Sequence, residues 1–238
     1  MSVRTRGLVI AIDGPAGAGK STAARNLARR LGYLYLDTGA TFRAIAWKAI
    51  QNTVDLANRE EVERVAAEST VAFVPGAGDR VLVDGWEVTP LLRTPEISQA
   101  SSRIAAYPGV RRVLLALWRD AGREGGVIVE GRDIGTVVFP DAELKLYLDA
   151  SPDVRAERRY LERGETGGPT LAVVRQELER RDTADRERVH APLTRADDAV
   201  FVDTSRLSPE ETAARLERLA RECVSRLTIR EGKLPRRS

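Results

Sequence analysis

The stretch Gly14-Pro15-Ala16-Gly17-Ala18-Gly19-Lys20-Ser21-Thr22 sets two glycines five positions apart and follows the second with a lysine and two hydroxyls. This is the spacing G-x-x-x-x-G-K-[ST], in which glycines let backbone N–H groups turn inward around phosphate oxygens. Lys20 is the residue to reach the β- and γ-phosphates, and Ser21 or Thr22 the one to support Mg2+. The apolar run "LVIAID" precedes the glycines and an amphipathic segment follows them, so the pattern lies where a buried strand feeds a helix N-terminus. Residues 14–22 therefore read as the binding loop for a nucleoside triphosphate.

Such a loop does not decide between hydrolysis and transfer. Transfer to a small acceptor needs a second anion site facing the first, and an element that closes over both to exclude water. Arginines are the candidates, because the guanidinium is always charged and donates in a planar fork. Arg43 follows "YLYLD", and Arg111 and Arg112 open a helix in "YPGVRR". Arg132 and Asp133 stand in "VIVEGRD", just past a buried run, at the edge where open α/β sheets bind ligands. Arg155, Arg158 and Arg159 share one helix face, and Arg181, Asp182, Asp185 and Arg188 repeat that spacing. A solvated face is the plainer account of any one helical cluster. For "EGRD" the balance reverses, because charges at the end of a buried strand need a reason.

The elements that must hold these groups are legible as alternation. "LVIAID", "YLYLD", "GVIVEG", "ELKLYLD" and "AVFVD" are short, apolar and β-branched-rich, as strands buried on both faces are. "KSTAARNLARRLG" puts Ala23, Ala24, Leu27, Ala28 and Leu31 at helical spacing and stops at Gly32, and "ATFRAIAWKAI" reads as another helix. Ser151-Pro152 and Ser208-Pro209 each supply an N-cap with proline at the first helical position, and Glu211 completes a capping box. Strands alternating with helices predict an α/β fold with a doubly wound parallel sheet flanked by helices. Residues 71–89 break the rhythm with period-two alternation around Asp84-Gly85, which predicts a small antiparallel insertion.

Composition narrows the chemistry. The 238 residues carry a net charge of only +3, which suits small anionic ligands as well as nucleic acid. Cys223 is the single cysteine and His190 the single histidine, so no disulfide within one chain and no Cys/His zinc set can form. Cys223 falls on the stripe Ala213, Leu216, Ala220, Cys223, Leu227 and reads as a buried inert thiol. The N-terminal apolar run is too short for a secretory signal and no stretch approaches membrane-spanning length, so a cytoplasmic protein is expected.

In chain order, "IAIDGPAGAGKST", "YLDTGATFRA", "SSRIAAYPGVRR", "EGRDIGTVVFPDA", "KLYLDAS", "RAERRY", "RDTADRERVHAPLTRADDA" and "VDTS" resemble the bacterial cytidylate kinases, within the nucleoside monophosphate kinases. The resemblance runs from Ile10 to about Ser205. It implies a P-loop kinase that moves the γ-phosphate of MgATP to CMP or dCMP, with Gly14, Pro15, Ala16, Gly17, Ala18, Gly19, Lys20, Ser21 and Thr22 holding ATP. It implies an acceptor site of Thr38, Phe42, Arg43, Ser102, Arg111, Arg132, Asp133, Arg181, Asp185 and Arg188. Within it, Arg43 and Arg132 grip the CMP phosphate, Ser102, Arg111 and Asp133 meet cytosine, and Arg181 and Asp185 meet the ribose. Lys20, Arg132, Arg188 and Arg158 would neutralise the moving phosphoryl group. Arg155, Arg158 and Arg159 would belong to a helical lid, and Mg2+ would be held by Ser21 and, through water, Glu130. Phe42 stands where the family commonly has tyrosine, and Ala184 where some relatives have another arginine.

The expected organisation is one kinase domain over residues 1–229, with a monophosphate-binding insertion at about 53–106, a lid region at about 151–188 and a loose basic tail at 230–238. Partners are ATP and CMP or dCMP, with no nucleic acid, no membrane and a monomeric state expected. Two other functions fit parts of the pattern: a kinase of the same fold acting on UMP or another metabolite, and an ATPase stimulated by nucleic acid.

Overall fold

Val9–Asp13 (β1) is apolar and fully buried up to its last residue, as a strand covered on both faces must be. The computed structural model describes residues 4–74, 80–163 and 169–232 and places β1 at the centre of a five-stranded parallel sheet. The other strands are Leu34–Asp37 (β2), Val127–Glu130 (β6), Leu144–Asp149 (β7) and Val200–Asp203 (β8), in the order β2-β6-β1-β7-β8. The chain crosses from β1 outward to β2, returns to β6, and then passes to the other side of β1 with β7 and β8. The sheet's direction of growth thus reverses at β1, where a doubly wound sheet opens a ligand crevice.

Each of these strands ends in an acidic residue at the carboxyl edge: Asp13, Asp37, Glu130, Asp149 and Asp203. Three of these carboxylates order the turn or helix that follows their strand. Asp37 accepts the Ala40 N–H at 2.9 Å and caps Thr38–Gln51 (α2), Asp149 accepts the Ala150 N–H, and Asp203 accepts both Ser205 donors.

Helices cover both faces of the sheet. Lys20–Leu31 (α1) and Pro209–Gly232 (α8) bury Ala23, Leu27, Leu216, Ala220 and Cys223 against Ile10, Ile12, Leu146 and Val202. α2, Arg59–Glu68 (α3), Pro95–Ile104 (α4) and Pro108–Ala121 (α5) pack the opposite face, with Trp118 and Phe42 meeting edge-on at 5.5 Å beneath Val9, Ala11 and Val129. Burying one such large side chain is worth about 1.5–3 kcal/mol. Gly32 stops α1 in the left-handed conformation, with φ 68°. The Ser208–Glu211 box closes reciprocally, at 2.8 and 3.2 Å.

The expected insertion is a separate antiparallel sheet of Val71–Phe73 (β3), Val81–Val83 (β4) and Trp86–Glu87 (β5). Asp84 and Gly85 both take positive φ, 52° and 84°, which is what a two-residue turn of this handedness requires. Pro152–Arg163 (α6) and Leu171–Arg186 (α7) form a helical pair with its own small core of Ala156, Val174 and Leu178, on which Ala16 of the glycine loop packs. α8 runs to Gly232, so the first residues of the expected tail continue the helix, and 233–238 lie outside the described residues.

Candidate active site

The glycine loop leaves β1 and enters α1 with Gly14, Gly17 and Gly19 at positive φ. A side chain at Gly14 would overlap the Leu148 carbonyl, and one at Gly17 would come within 2.9 Å of the Arg155 carbonyl, so loop and neighbours are in backbone contact. No side chain caps α1, whose first N–H groups and dipole are left for an anion. Lys20 is buried, with Nζ donating to the Pro15 carbonyl at 2.6 Å. Burial, followed by the nearby Arg132 and Arg181 charges, pulls its pKa down to about 7, against the opposing pull of Glu130 and Asp13.

Two strand-end carboxylates organise what faces Lys20. Asp13 accepts the N–H groups of Ile134 (2.8 Å) and Gly135 (2.7 Å) and so holds the π-helical turn Ile134–Val138 behind Arg132 and Asp133. Burial nonetheless raises its pKa to about 6. Glu130 accepts a hydrogen bond from the Tyr35 hydroxyl. Burial and the Asp37 charge raise its pKa, while Lys20 and the hydroxyls of Tyr35 and Ser21 lower it. Its second oxygen, Oε2, is buried and has no partner among the described residues. An unused hard oxygen beside the Ser21 hydroxyl is the donor chemistry Mg2+ takes when phosphates and water supply its other ligands.

Across from the loop lies a cluster of guanidiniums. Arg132 Nε bonds Asp185 at 2.8 Å, Arg188 pairs with the other oxygen of Asp185, and Arg111 pairs with Asp133. Arg43 bonds Asp37 at 2.7 Å, and Arg111 also lies 5.6 Å over the Phe42 ring. Arg181 is half-buried, and desolvation together with the Arg132, Arg43 and Arg159 charges pulls its pKa down to about 10 despite Asp185. Its Nε and that of Arg43 are buried with no partner among the described residues. Arg43, Arg111, Arg132, Arg181 and Arg188 face Asp37, Asp133 and Asp185, and Glu130 also acts on Arg132, five guanidiniums against four carboxylates. A half-buried excess of positive charge with idle donors suits an anion.

The residues singled out from the sequence divide accordingly. Lys20, Ser21, Glu130, Arg43, Arg111, Arg132, Asp133, Arg181, Asp185 and Arg188 converge on one cleft at the carboxyl edge of the sheet. Thr38 lines it as well, although its hydroxyl donates to the Glu130 carbonyl at 2.8 Å, and Ser102 donates to the Ser98 carbonyl at 3.2 Å.

The three α6 arginines do not act as one face. Arg155 is buried and turned onto the glycine loop and Asp182, Arg158 donates to Thr204, and Arg159 reaches Glu162 at the surface. Of the three residues that the resemblance assigns to a lid, Arg155 is already satisfied by protein atoms. Asp13, Tyr35 and Asp37 are not singled out by the sequence pattern, and Asp182 enters it only through its helical spacing. A carboxylate closing an otherwise apolar strand was the signal available for Asp13 and Asp37.

The strand–glycine loop–helix unit at the switch point of a parallel sheet defines a P-loop nucleotide-binding protein. The family model described as cytidylate kinase matches residues 10–222. A cytidylate kinase of Geobacter sulfurreducens is 50% identical over 223 residues, covering 91% of this chain and 94% of that protein. One of Desulfitobacterium hafniense is 47% identical over 212 residues, covering 89% and 91%. The chain belongs to the cytidylate kinase family. A crystal structure of an uncharacterised protein from Eubacterium ventriosum, 12% identical, matches with a TM-score of 0.50 over 90% of this chain and 98% of that one, a likeness of fold alone.

Proposed function

We propose that this chain phosphorylates CMP and dCMP, passing the γ-phosphate of ATP directly and in line to the acceptor phosphate. Family membership supports the reaction class, and the observation that carries the reading is the half-buried guanidinium cluster beside Lys20. A protein that only hydrolysed ATP would have no use for a second anion site with Arg43 and Arg181 donors idle.

In this reading the loop N–H groups and Lys20 bind the triphosphate, and Arg43 and Arg132 bind the acceptor phosphate. Lys20, Arg132, Arg158 and Arg188 surround the transferring group, so that charge developing on its oxygens meets fixed donors. Ser21 and, through water, Glu130 would hold Mg2+, which would supply neutralisation of phosphate charge. The acceptor oxygen is already ionised, so the chain supplies no general base, in keeping with its single histidine. Thr38, Phe42 and Ser102 line the nucleoside, with Arg181 and Asp185 at the ribose. Arg111 and Asp133 read the base: cytosine offers an amino donor to the carboxylate and ring acceptors to the guanidinium, whereas uracil reverses the first contact. The reading includes a cytoplasmic monomer; the mass in solution tests its oligomeric part.

ADP release measured with CMP, dCMP, UMP, AMP and GMP tests the whole. CMP and dCMP are expected to dominate. A preference for UMP or for none of them would redirect the acceptor assignment, and ADP release stimulated by RNA or DNA without CMP would replace it.

A further inference from the structure

Ala16 in the middle of the P-loop is held at both of its backbone polar groups by one ion pair from outside the loop. Its N–H donates to Asp182 at 3.3 Å, and its carbonyl accepts from Arg155 Nη1 at 3.1 Å. The same Arg155 nitrogen pairs with Asp182, and Arg155 Nε donates to the Ala150 carbonyl at 3.1 Å. Both side chains are buried, at 7% and 2% exposure, so water does not compete for these bonds. Packing points the same way. Ala16 sits on Ala156, Val174 and Leu178 of the helical pair, and Gly17 has no room for a Cβ because Arg155 backbone occupies the space.

We infer that Arg155 and Asp182 are positioning residues for ATP: together they clamp the Ala16 backbone and set the P-loop in its phosphate-binding shape before nucleotide arrives. The inference rests on residues 14–22 being the triphosphate cradle. A loop with three glycines loses much conformational entropy on ordering, and a clamp that orders it in the free protein removes that cost from binding. The clamp also ties the loop to α7, whose adjacent Arg181 and nearby Asp185 belong to the acceptor cluster.

The test separates positioning from mere stability. Asp182→Val alone leaves the buried Arg155 with only the longer Asp149 contact, at 3.8 Å, and is expected to lower Tm, whereas Arg155→Met with Asp182→Val removes both charges and is expected to recover most of it. ATP affinity, measured directly by calorimetry without acceptor, is expected to remain roughly ten- to a hundredfold weaker in that double variant, the scale of lost charge-assisted hydrogen bonds. CMP affinity is expected to stay close to that of the unsubstituted protein. Recovery of ATP affinity together with Tm would overturn the inference. Should the double variant not fold, amide exchange of Ala16 in the unsubstituted, nucleotide-free protein decides: protection supports the clamp and solvent-rate exchange refutes it. Neither the ATP calorimetry nor the amide exchange uses an acceptor, so a wrong acceptor assignment would not alter those two outcomes.

Discussion

On the reading proposed above, the two halves of the site bind phosphate by opposite means. Apart from Lys20, the donor side is one contiguous loop that offers backbone N–H groups and a helix end, whose partial charges cost little when no ligand is bound. The acceptor side is built from full charges gathered from α2, α5, the turn after β6, and α7 with the residues just past it. Full charges cannot be left bare in a buried site. Asp185 and Asp133 therefore bind arginines that the reading above gives to the nucleotide, and they act as internal anions in the free protein. The donor side can be rigid and empty, while the acceptor side must be balanced by carboxylates of its own. On that reading, ligand binding there exchanges one set of anions for another.

The sharpest way to break this contrast is to remove an internal anion. Asp185→Asn leaves Arg132 and Arg188 without their shared carboxylate, and the free protein is expected to lose about 3–5 kcal/mol of stability, as buried ion pairs do when one partner goes. Urea denaturation measures the loss, and inorganic phosphate should restore more Tm to the variant than it adds to the unsubstituted protein. An unchanged stability would mean that the cluster does not depend on its own carboxylates.

Removing charge from the donor side should instead spare the fold and damage the chemistry. Lys20→Met is expected to lower kcat about 10²–10³-fold, the scale of losing one transition-state donor, with CMP affinity nearly intact. Near-normal turnover in a folded variant would take Lys20 out of the mechanism.

The base-reading pair is expected to have a smaller effect. Asp133→Asn can turn its amide N–H toward the uracil carbonyl, so the ratio of kcat/KM for CMP over UMP should narrow by about ten- to a hundredfold, mostly through loss on CMP. If both values fall in parallel, Asp133 supports the site without reading the base.

The smallest effect is a proton. Lys20 has its pKa pulled down to about 7 in the free protein, so above pH 7 it is mostly neutral, and the triphosphate's negative charge favours its return to the ammonium form. ATP binding at pH 8 should therefore take up as much as about one proton, and uptake should fade towards pH 6, where Lys20 is already charged. Calorimetry in buffers of different ionisation enthalpy reads this directly, and Lys20→Met should abolish it.

Much of this molecule was determined by local sequence. The P-loop, the strand ends, the Gly32 stop, the Ser208–Glu211 box and the Asp84-Gly85 turn depend on φ, spacing and nearest neighbours, all of which a short stretch specifies. The buried stripe carrying Cys223 follows from helical period alone. Partner choice does not. Arg155, Arg158 and Arg159 share a helix face by spacing, yet one is buried against Ala16 and Asp182, one bonds Thr204 and one lies at the surface. Asp13 orders a turn that lies more than a hundred residues away along the chain. Periodicity says which way a side chain points; only the tertiary structure decides what it meets there and how dry the meeting is. Those two quantities set whether a charge is a solvated ornament, a clamp or a ligand for phosphate.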